Sequence, residues 1–362
     1  MSVTIPALPA GDSFAPDESV RTVRHRPEFV GRAGEYFGIW IVNVLLSIVT
    51  LGIYSAWAKV RTERYFYGNT TLAGSAFDYV ANPISILKGR LIAYAVVIAL
   101  VVSSKFAPLL YLALFFAIAV MVPALIVWSL RFRARNSIWR GLSFRFDESA
   151  GAAYGPFLLW AWLTGLTLSL LYPLMKMRQH QFVVEGHRYG RKRFDYQGHT
   201  ADYYLPYGIA AVLGIALFVA FGFFVGRMAG DAGGVAPTDV GTWAFLSVMA
   251  FYVVFFAVMT FLRIRYTNLL WNSARIGPHR FESSLRVRDV FWIYASNAVA
   301  IVCTVGLAVP WAMIRLARYR SAHFALVAVG SIDEFVAASE SSVGATGAEM
   351  IDALDAGMDF GL

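Results

Sequence analysis

Read for apolar and polar positions alone, the chain alternates long apolar runs with short basic stretches. Seven runs stand out, at 36–58, 91–104, 107–130, 154–175, 203–226, 241–262 and 290–314. A bilayer core of about 30 Å asks for roughly 18 or more apolar residues of helix, and these runs approach or meet that length. Two pairs, 91–104 with 107–130 and 203–226 with 241–262, read as helical hairpins. The first turns at Ser103–Ala107, the second through the Gly-rich linker Gly226–Val240. The remaining three runs are interrupted at Thr50-Leu51-Gly52, at Thr167 to Pro173, and at Thr304-Val305-Gly306 to Pro310. Gly and Pro break a helix and free backbone groups, which is tolerated at membrane depth only inside protein or beside a water-filled cavity. The pattern predicts an α-helical polytopic membrane protein with two full helical hairpins and three broken, re-entrant units. Short period-2 stretches beside the units predict cytoplasmic β-strands at Phe144–Asp147, Phe281–Ser283, Tyr65–Tyr67, Gln181–Glu185 and Phe324–Val329. Gly68-Asn69 reads as a hairpin turn after the first unit.

The broken runs are related to one another. Glu35 to Tyr65 returns as Asp289 to Tyr319, with Asn43, Thr50, Gly52, Trp57, Ala58, Arg61, Arg64 and Tyr65 matching Asn297, Thr304, Gly306, Trp311, Ala312, Arg315, Arg318 and Tyr319. A weaker middle copy aligns Thr50, Lys59, Arg61 and Phe77-Asp78-Tyr79 with Thr167, Lys176, Arg178 and Phe194-Asp195-Tyr196. Self-similarity of this kind divides the chain into units near 29–80, 144–198 and 281–330, separated by hairpins 91–130 and 203–262. Residues 1–28 read as a disordered N-terminal arm without a cleaved leader, and 331–362 as an acidic, disordered tail with a short helix near Glu349–Ala356.

Phe29-Val30-Gly31, Glu35-Tyr36-Phe37, the run Thr50 to Arg61, Phe77-Asp78-Tyr79 and Gly89-Arg90 together resemble the YjgN-like family of bacterial inner-membrane proteins. The resemblance covers roughly 29–330 and is looser in the middle copy, where Leu174 replaces Trp57. It implies a location and a fold. The family is of unknown function, so the resemblance implies no reaction.

Charge decides how the runs are expected to cross. Of 31 Lys and Arg, only Lys105 and Arg227 lie in the two hairpin linkers; the other 29 lie between or outside the runs. Seven simple crossings would leave the basic residues almost evenly divided. Four crossings with three returning units place nearly all on one side, which is the cytoplasmic side by the positive-inside tendency. Both termini are then cytoplasmic. A composition 58% hydrophobic and 15% charged fits no ordinary soluble domain. The net charge of +8 comes from the loops, so nucleic acid is not expected as a partner.

Candidate chemistry is sparse. Asn43 with Thr50, and Asn297 with Thr304, lie seven residues apart on one helix face. They read either as a polar lining at the helix breaks or as hydrogen-bonding glue between helices. Glu35 and Asp289 read as helix-start charges. Arg61, Arg64, Lys176, Arg178, Arg315 and Arg318 are candidates for anionic headgroup contacts, the alternative being that they only fix topology. His180, His187 and His199, with Glu185, share a loop but no compact metal spacing, and the single Cys303 cannot form an internal disulfide. No catalytic motif, cofactor site or metal site is expected, and no enzyme. Two functions fit: a transporter- or channel-like protein for a small solute, or a non-catalytic membrane scaffold or envelope-maintenance partner. The bilayer is the expected partner; a protein partner or a homo-oligomer is open.

Overall fold

The computed structural model of the protein describes residues 22–231 and 237–340. Two short strands come first, β1 (Thr22–His25) and β2 (Glu28–Phe29). Helices α1 (Ala33–Val49) and α2 (Ser55–Gly68) follow and lead into the hairpin β3 (Thr70–Leu72) and β4 (Ser75–Tyr79). The long pair α3 (Pro83–Phe106) and α4 (Pro108–Arg135) leads into β5 (Ser137–Trp139) and β6 (Leu142–Phe146). The next outward leg is α5 (Ala150–Tyr154), one π-helical stretch at Gly155–Leu159, and α6 (Trp160–Leu166); it returns as α7 (Tyr172–Gly186). Then come β7 (His187–Tyr189) and β8 (Lys192–Tyr196), the long pair α8 (Thr200–Asp231) and α9 (Pro237–Ser273), and β9 (Ala274–Ile276) with β10 (His279–Ser283). Finally α10 (Val287–Cys303) and α11 (Val309–Ala322) lead into β11 (Phe324–Val329) and the short α12 (Ile332–Glu340).

The strands form one antiparallel sheet in the order β1-β11-β10-β9-β8-β7-β6-β5-β4-β3-β2. Its two ends, β1 and β2, are separated in the chain only by Arg26 and Pro27. Thr22 pairs with Val329 on one side, and Phe29 with Thr70 on the other. The sheet therefore closes on itself through a single interrupted N-terminal strand, which removes the free edges that would otherwise template aggregation. Proline, which has no N–H to give a ladder, sits at the interruption.

Each hairpin turns through two residues: Ala73-Gly74, Arg140-Gly141, Gly190-Arg191 and Gly277-Pro278. The first two pairs have positive φ at both positions, the backbone a right-twisted two-residue hairpin requires. Leu72, Trp139, Tyr189, Ile276 and Leu326, one from each sector, pack as one apolar cluster inside the ring. Ile332 and Val336 of α12 join them and close the turn end.

The helices also form a ring. The returning helix of each pair packs on the outgoing helix of the next: α2 on α3, α4 on α5, α7 on α8, α9 on α10, and α11 back on α1. Among the described residues four helices, Pro83–Phe106, Pro108–Arg135, Thr200–Arg227 and Thr242–Ser273, are long and apolar enough to cross a membrane, and few of their residues are buried by protein. These are the two expected hairpins.

Several local expectations give way. Tyr65–Tyr67 and Gln181–Glu185 are the last turns of α2 and α7, because three to five alternating residues do not separate strand from helix. Gly68-Asn69 is a helix end: the amide of Asn69 and the hydroxyl of Thr70 donate back to the carbonyls of Tyr65 (2.8 Å) and Phe66 (2.7 Å). The expected arm contains β1, and the expected tail begins with α12, whose Ile332, Phe335 and Val336 share one apolar face. Residues 1–21 and 341–362, including the helix expected near Glu349–Ala356, lie outside the described residues.

Candidate functional site

The three breaks share one backbone solution. Two consecutive residues take left-handed φ: Leu51 and Gly52 (50° and 90°), Leu168 and Ser169 (48° and 71°), Val305 and Gly306 (49° and 92°). The second N–H of each pair bonds back to Ser47 (2.7 Å), Thr164 (2.8 Å) or Ile301 (2.8 Å), the wide bond of a Schellman helix end. The threonine just before is the hinge. Thr50 Oγ1 donates to the Leu46 carbonyl at 2.7 Å and accepts the Tyr54 N–H at 2.9 Å. Thr304 does the same with Ala300 (2.7 Å) and Ala308 (2.9 Å), and Thr167 with Leu163 (2.8 Å) and Leu171 (3.4 Å). One hydroxyl finishes the outgoing helix and supplies an acceptor to the first turn of the returning one.

The two asparagines join the legs of their own units. Asn43 Nδ2 donates to the Ala58 carbonyl, and Asn297 Nδ2 to the Ala312 carbonyl, each at 3.4 Å. Their acceptor ends differ. Arg315 donates to Asn297 Oδ1 (3.1 Å) and Ser296 Oγ (2.6 Å), with its guanidinium over the Trp311 ring. Asn43 Oδ1 is buried and has no partner among the described residues, while Arg61, the counterpart of Arg315, is exposed. Thr50 and Thr304 are turned on backbone and Asn43 and Asn297 on the facing leg, so the four side chains do not converge on one space.

The basic candidates divide. Arg64 is committed to the Tyr79 carbonyl (3.1 Å), and Arg318 to that of Gly31 (2.8 Å), tying unit one to unit three. Arg178 is exposed and touches Gln181. Lys176 donates to Gln179 at 3.2 Å, and burial holds its pKa below the usual lysine range.

Two polar clusters went unnoticed in the sequence. His180 Nδ1 lies 2.6 Å from the Tyr203 hydroxyl, which also bonds that of Tyr196. Burial, and then the nearby Lys176, pull the His180 pKa down to about 4. At the matching place in unit one, Lys59, Glu63, Tyr67, Tyr79 and Arg133 line a cavity of about 40 Å³. Burial and then the cations Arg133 and Arg90 lower the Lys59 pKa; burial pushes Tyr79 up to about 12. The recurrence of Lys59 as Lys176 was the available signal. His187 bonds the Val183 carbonyl and His199 faces Asp202, so the three histidines have separate partners. Among the described residues no group of three or more His, Cys, Asp or Glu could hold a metal ion.

At the turn end of the sheet ring a recess of about 830 Å³ lies between β1, the turns Ala73-Gly74 and Arg140-Gly141, and the start of α12. Arg24, His25, Arg26, Glu28, Arg140 and Asp333 line it. Arg140 pairs with Asp333, donates to the Ala73 carbonyl (2.8 Å) and stacks on Trp139, joining two hairpin turns to α12.

No solved structure matches the chain. Inner membrane protein YjgN of Salmonella typhimurium (strain LT2) is 25% identical over 342 residues, covering 81% of this chain and 86% of that protein. Inner membrane protein YjgN of Escherichia coli O157:H7 is 32% identical over 126 residues, 34% of this chain and 32% of that protein. The protein of the same name from Escherichia coli K12 is 47% identical over 55 residues, 15% of this chain and 14% of that protein. A family model described as bacterial protein of unknown function (DUF898) matches residues 24–353, nearly the whole chain, and the protein therefore belongs to this YjgN-like family.

Proposed function

We propose that the protein is a non-enzymatic scaffold of the bacterial inner membrane that presents the closed sheet ring to the cytoplasm. The observation that carries this reading is that every helix pair leaves the ring on the same face, so the hairpin turns and α12 form a continuous rim on the opposite side. Two long hairpins cross the bilayer; the three short pairs are repeated units that enter and return from the cytoplasmic side, which leaves both termini cytoplasmic. The location is supported by the inner-membrane names of the relatives and by the four long apolar helices. The rim then displays the recess and α12 to a protein partner. The test is cross-linking from the rim in cells, followed by purification of the full chain. A partner captured by wild type and lost in Arg140→Glu supports the scaffold. Capture of nothing but a second copy sinks it.

A second reading, passage of a small solute beside the breaks, rests on the unpartnered Asn43 Oδ1. It requires Asn43→Ala to slow flux at normal membrane abundance. Unchanged flux, or loss of the protein from the membrane, returns Asn43 to a packing role.

A further inference from the structure

The helical legs reach two different depths. Asn43 is level with Ala58 through its hydrogen bond, and Asn297 with Ala312. Lys59 follows Ala58 and Arg315 bonds Asn297, while Arg90 of α3 bonds Ser55 about one turn further out, so cations lie at or near that level in both units. Beyond it each short pair extends by seven or eight residues per leg, about 11 Å at 1.5 Å per residue. The leg α3 continues from Arg90 to Phe106, about 24 Å by the same rise. One leaflet of the hydrocarbon core is about 15 Å deep, half of the full thickness. Short pairs stop within one leaflet, and α3 reaches well into the second.

The tips of the short pairs fit that depth chemically. Leu51, Leu168 and Val305 are 94%, 89% and 93% exposed, and Ile48, Val49, Leu166, Leu170 and Val302 beside them are exposed as well. These are apolar side chains held outward by a strained left-handed turn, with none of the described residues covering them and cations at their base. A leaflet of acyl chains is the surface such tips match.

Resting on the topology proposed above, we propose that the membrane domain is a wedge that bends the bilayer. Ten helical legs occupy the cytoplasmic leaflet and four occupy the other. With a helix diameter of about 10 Å, the cross-sections are about 800 Å² and about 300 Å². Inserting more area into one leaflet expands it relative to its partner, so the protein favours a membrane that is convex toward the sheet ring, and drives such a shape when crowded. The preference belongs to lipid and geometry and needs no bound partner.

The experiment uses the full chain in vesicles of phosphatidylethanolamine and phosphatidylglycerol, prepared small and large, with molecules sorted by whether proteases reach the ring from outside. Molecules with the ring outside should be enriched per lipid about twofold or more in the small vesicles, as expected for curvature-sensitive insertion. Molecules with the ring inside should be depleted from them. Equal partition, or an enrichment that ignores orientation, overturns the wedge. A fluorophore on Leu51→Cys in a Cys303→Ser background, with lipids spin-labelled along the acyl chain as quencher, checks the premise separately. Strong quenching with no curvature preference sinks the wedge and leaves the returning units standing. An unquenched tip sinks the topology, and the wedge with it. The triple variant Leu51→Asp, Leu168→Asp, Val305→Asp should stay in the bilayer through its long hairpins and lose the preference.

Discussion

Tyr65 and Tyr319 perform the same task at corresponding places in units one and three: each hydroxyl accepts the backbone N–H that opens its own unit's outgoing helix, Arg32 at 2.8 Å and Arg286 at 3.0 Å. Neither Arg32 nor Arg286 caps its helix with its own side chain, so the tyrosine at the far end of the returning leg supplies the acceptor. The returning leg thereby fixes where the outgoing one starts. Tyr65→Phe should lower stability by about 1 kcal/mol, the usual worth of a helix cap or an ordinary hydrogen bond. Thermal unfolding in detergent measures it. An unchanged midpoint would mean that water replaces the hydroxyl without loss.

The middle break departs from the other two at one position. Ser169 occupies the left-handed site where Gly52 and Gly306 sit, with φ of 71°. A side chain there costs roughly 1 kcal/mol. Ser169→Gly should therefore stabilise the protein by somewhat less than 1 kcal/mol, glycine also giving more freedom to the unfolded chain. Gly52→Ala should destabilise by about 1 kcal/mol or more. The pair of variants, read by the same melting experiment, must move in opposite directions.

His180 gives an acid limb to stability. Burial holds its folded pKa at about 4, against about 6.5 unfolded. The unfolded chain binds the extra proton between those values, so stability is full above about pH 6.5 and falls as pH drops toward 4. His180→Gln should flatten that limb, removing a loss of up to ~3 kcal/mol across the window. His187 and His279 are lowered by burial as well and should leave a residual slope. Denaturant titrations at pH 7 and pH 4.5 on both proteins check the sign.

Two kinds of contact hold α12 on the ring, and their magnitudes differ. The Arg140–Asp333 pair has a carboxylate side chain 85% exposed, and pairs so open to solvent contribute less than about 1 kcal/mol. Phe335 stacks on Tyr189 and meets the His279 ring edge-on. Phe335→Ala should free the helix, with loss of roughly 2 kcal/mol of docking. Asp333→Ala should leave it nearly in place. Limited proteolysis after Gly330 distinguishes the two: fast cleavage in the first variant and near wild-type cleavage in the second.

Much of the helical plan was legible because it is written in composition. Runs 91–130 and 203–262 have no other use for so many apolar residues than two long hairpins. The Thr50-Leu51-Gly52 break was visible as well, since only a few residue types sit where φ must be positive. What Thr50 does there was not. A hydroxyl spent on Leu46 and Tyr54 looks, in sequence, the same as one facing a pore. The sheet was hardest to read. Its strands run from two to six residues, too short for alternation to speak, and five of its ten pairings join strands separated by an entire helix pair. His180 and Tyr203 could be brought together only by the packing of α7 on α8.

The interrupted N-terminal strand has a consequence for how the molecule is made. Glu28–Phe29 finds Thr70–Thr71 soon after both leave the ribosome, but Thr22–His25 pairs with Leu326–Val329 alone. Through nearly the whole of synthesis the first strand waits with an open edge, while the helix pairs between β1 and β11 are made. The seam is sealed by β11, the last strand among the described residues. A message truncated before Phe324 would release a chain with two adhesive edges, at β1 and at β10, so for quality control in the cell the six codons of Phe324–Val329 decide whether the product is a finished ring or an aggregation hazard.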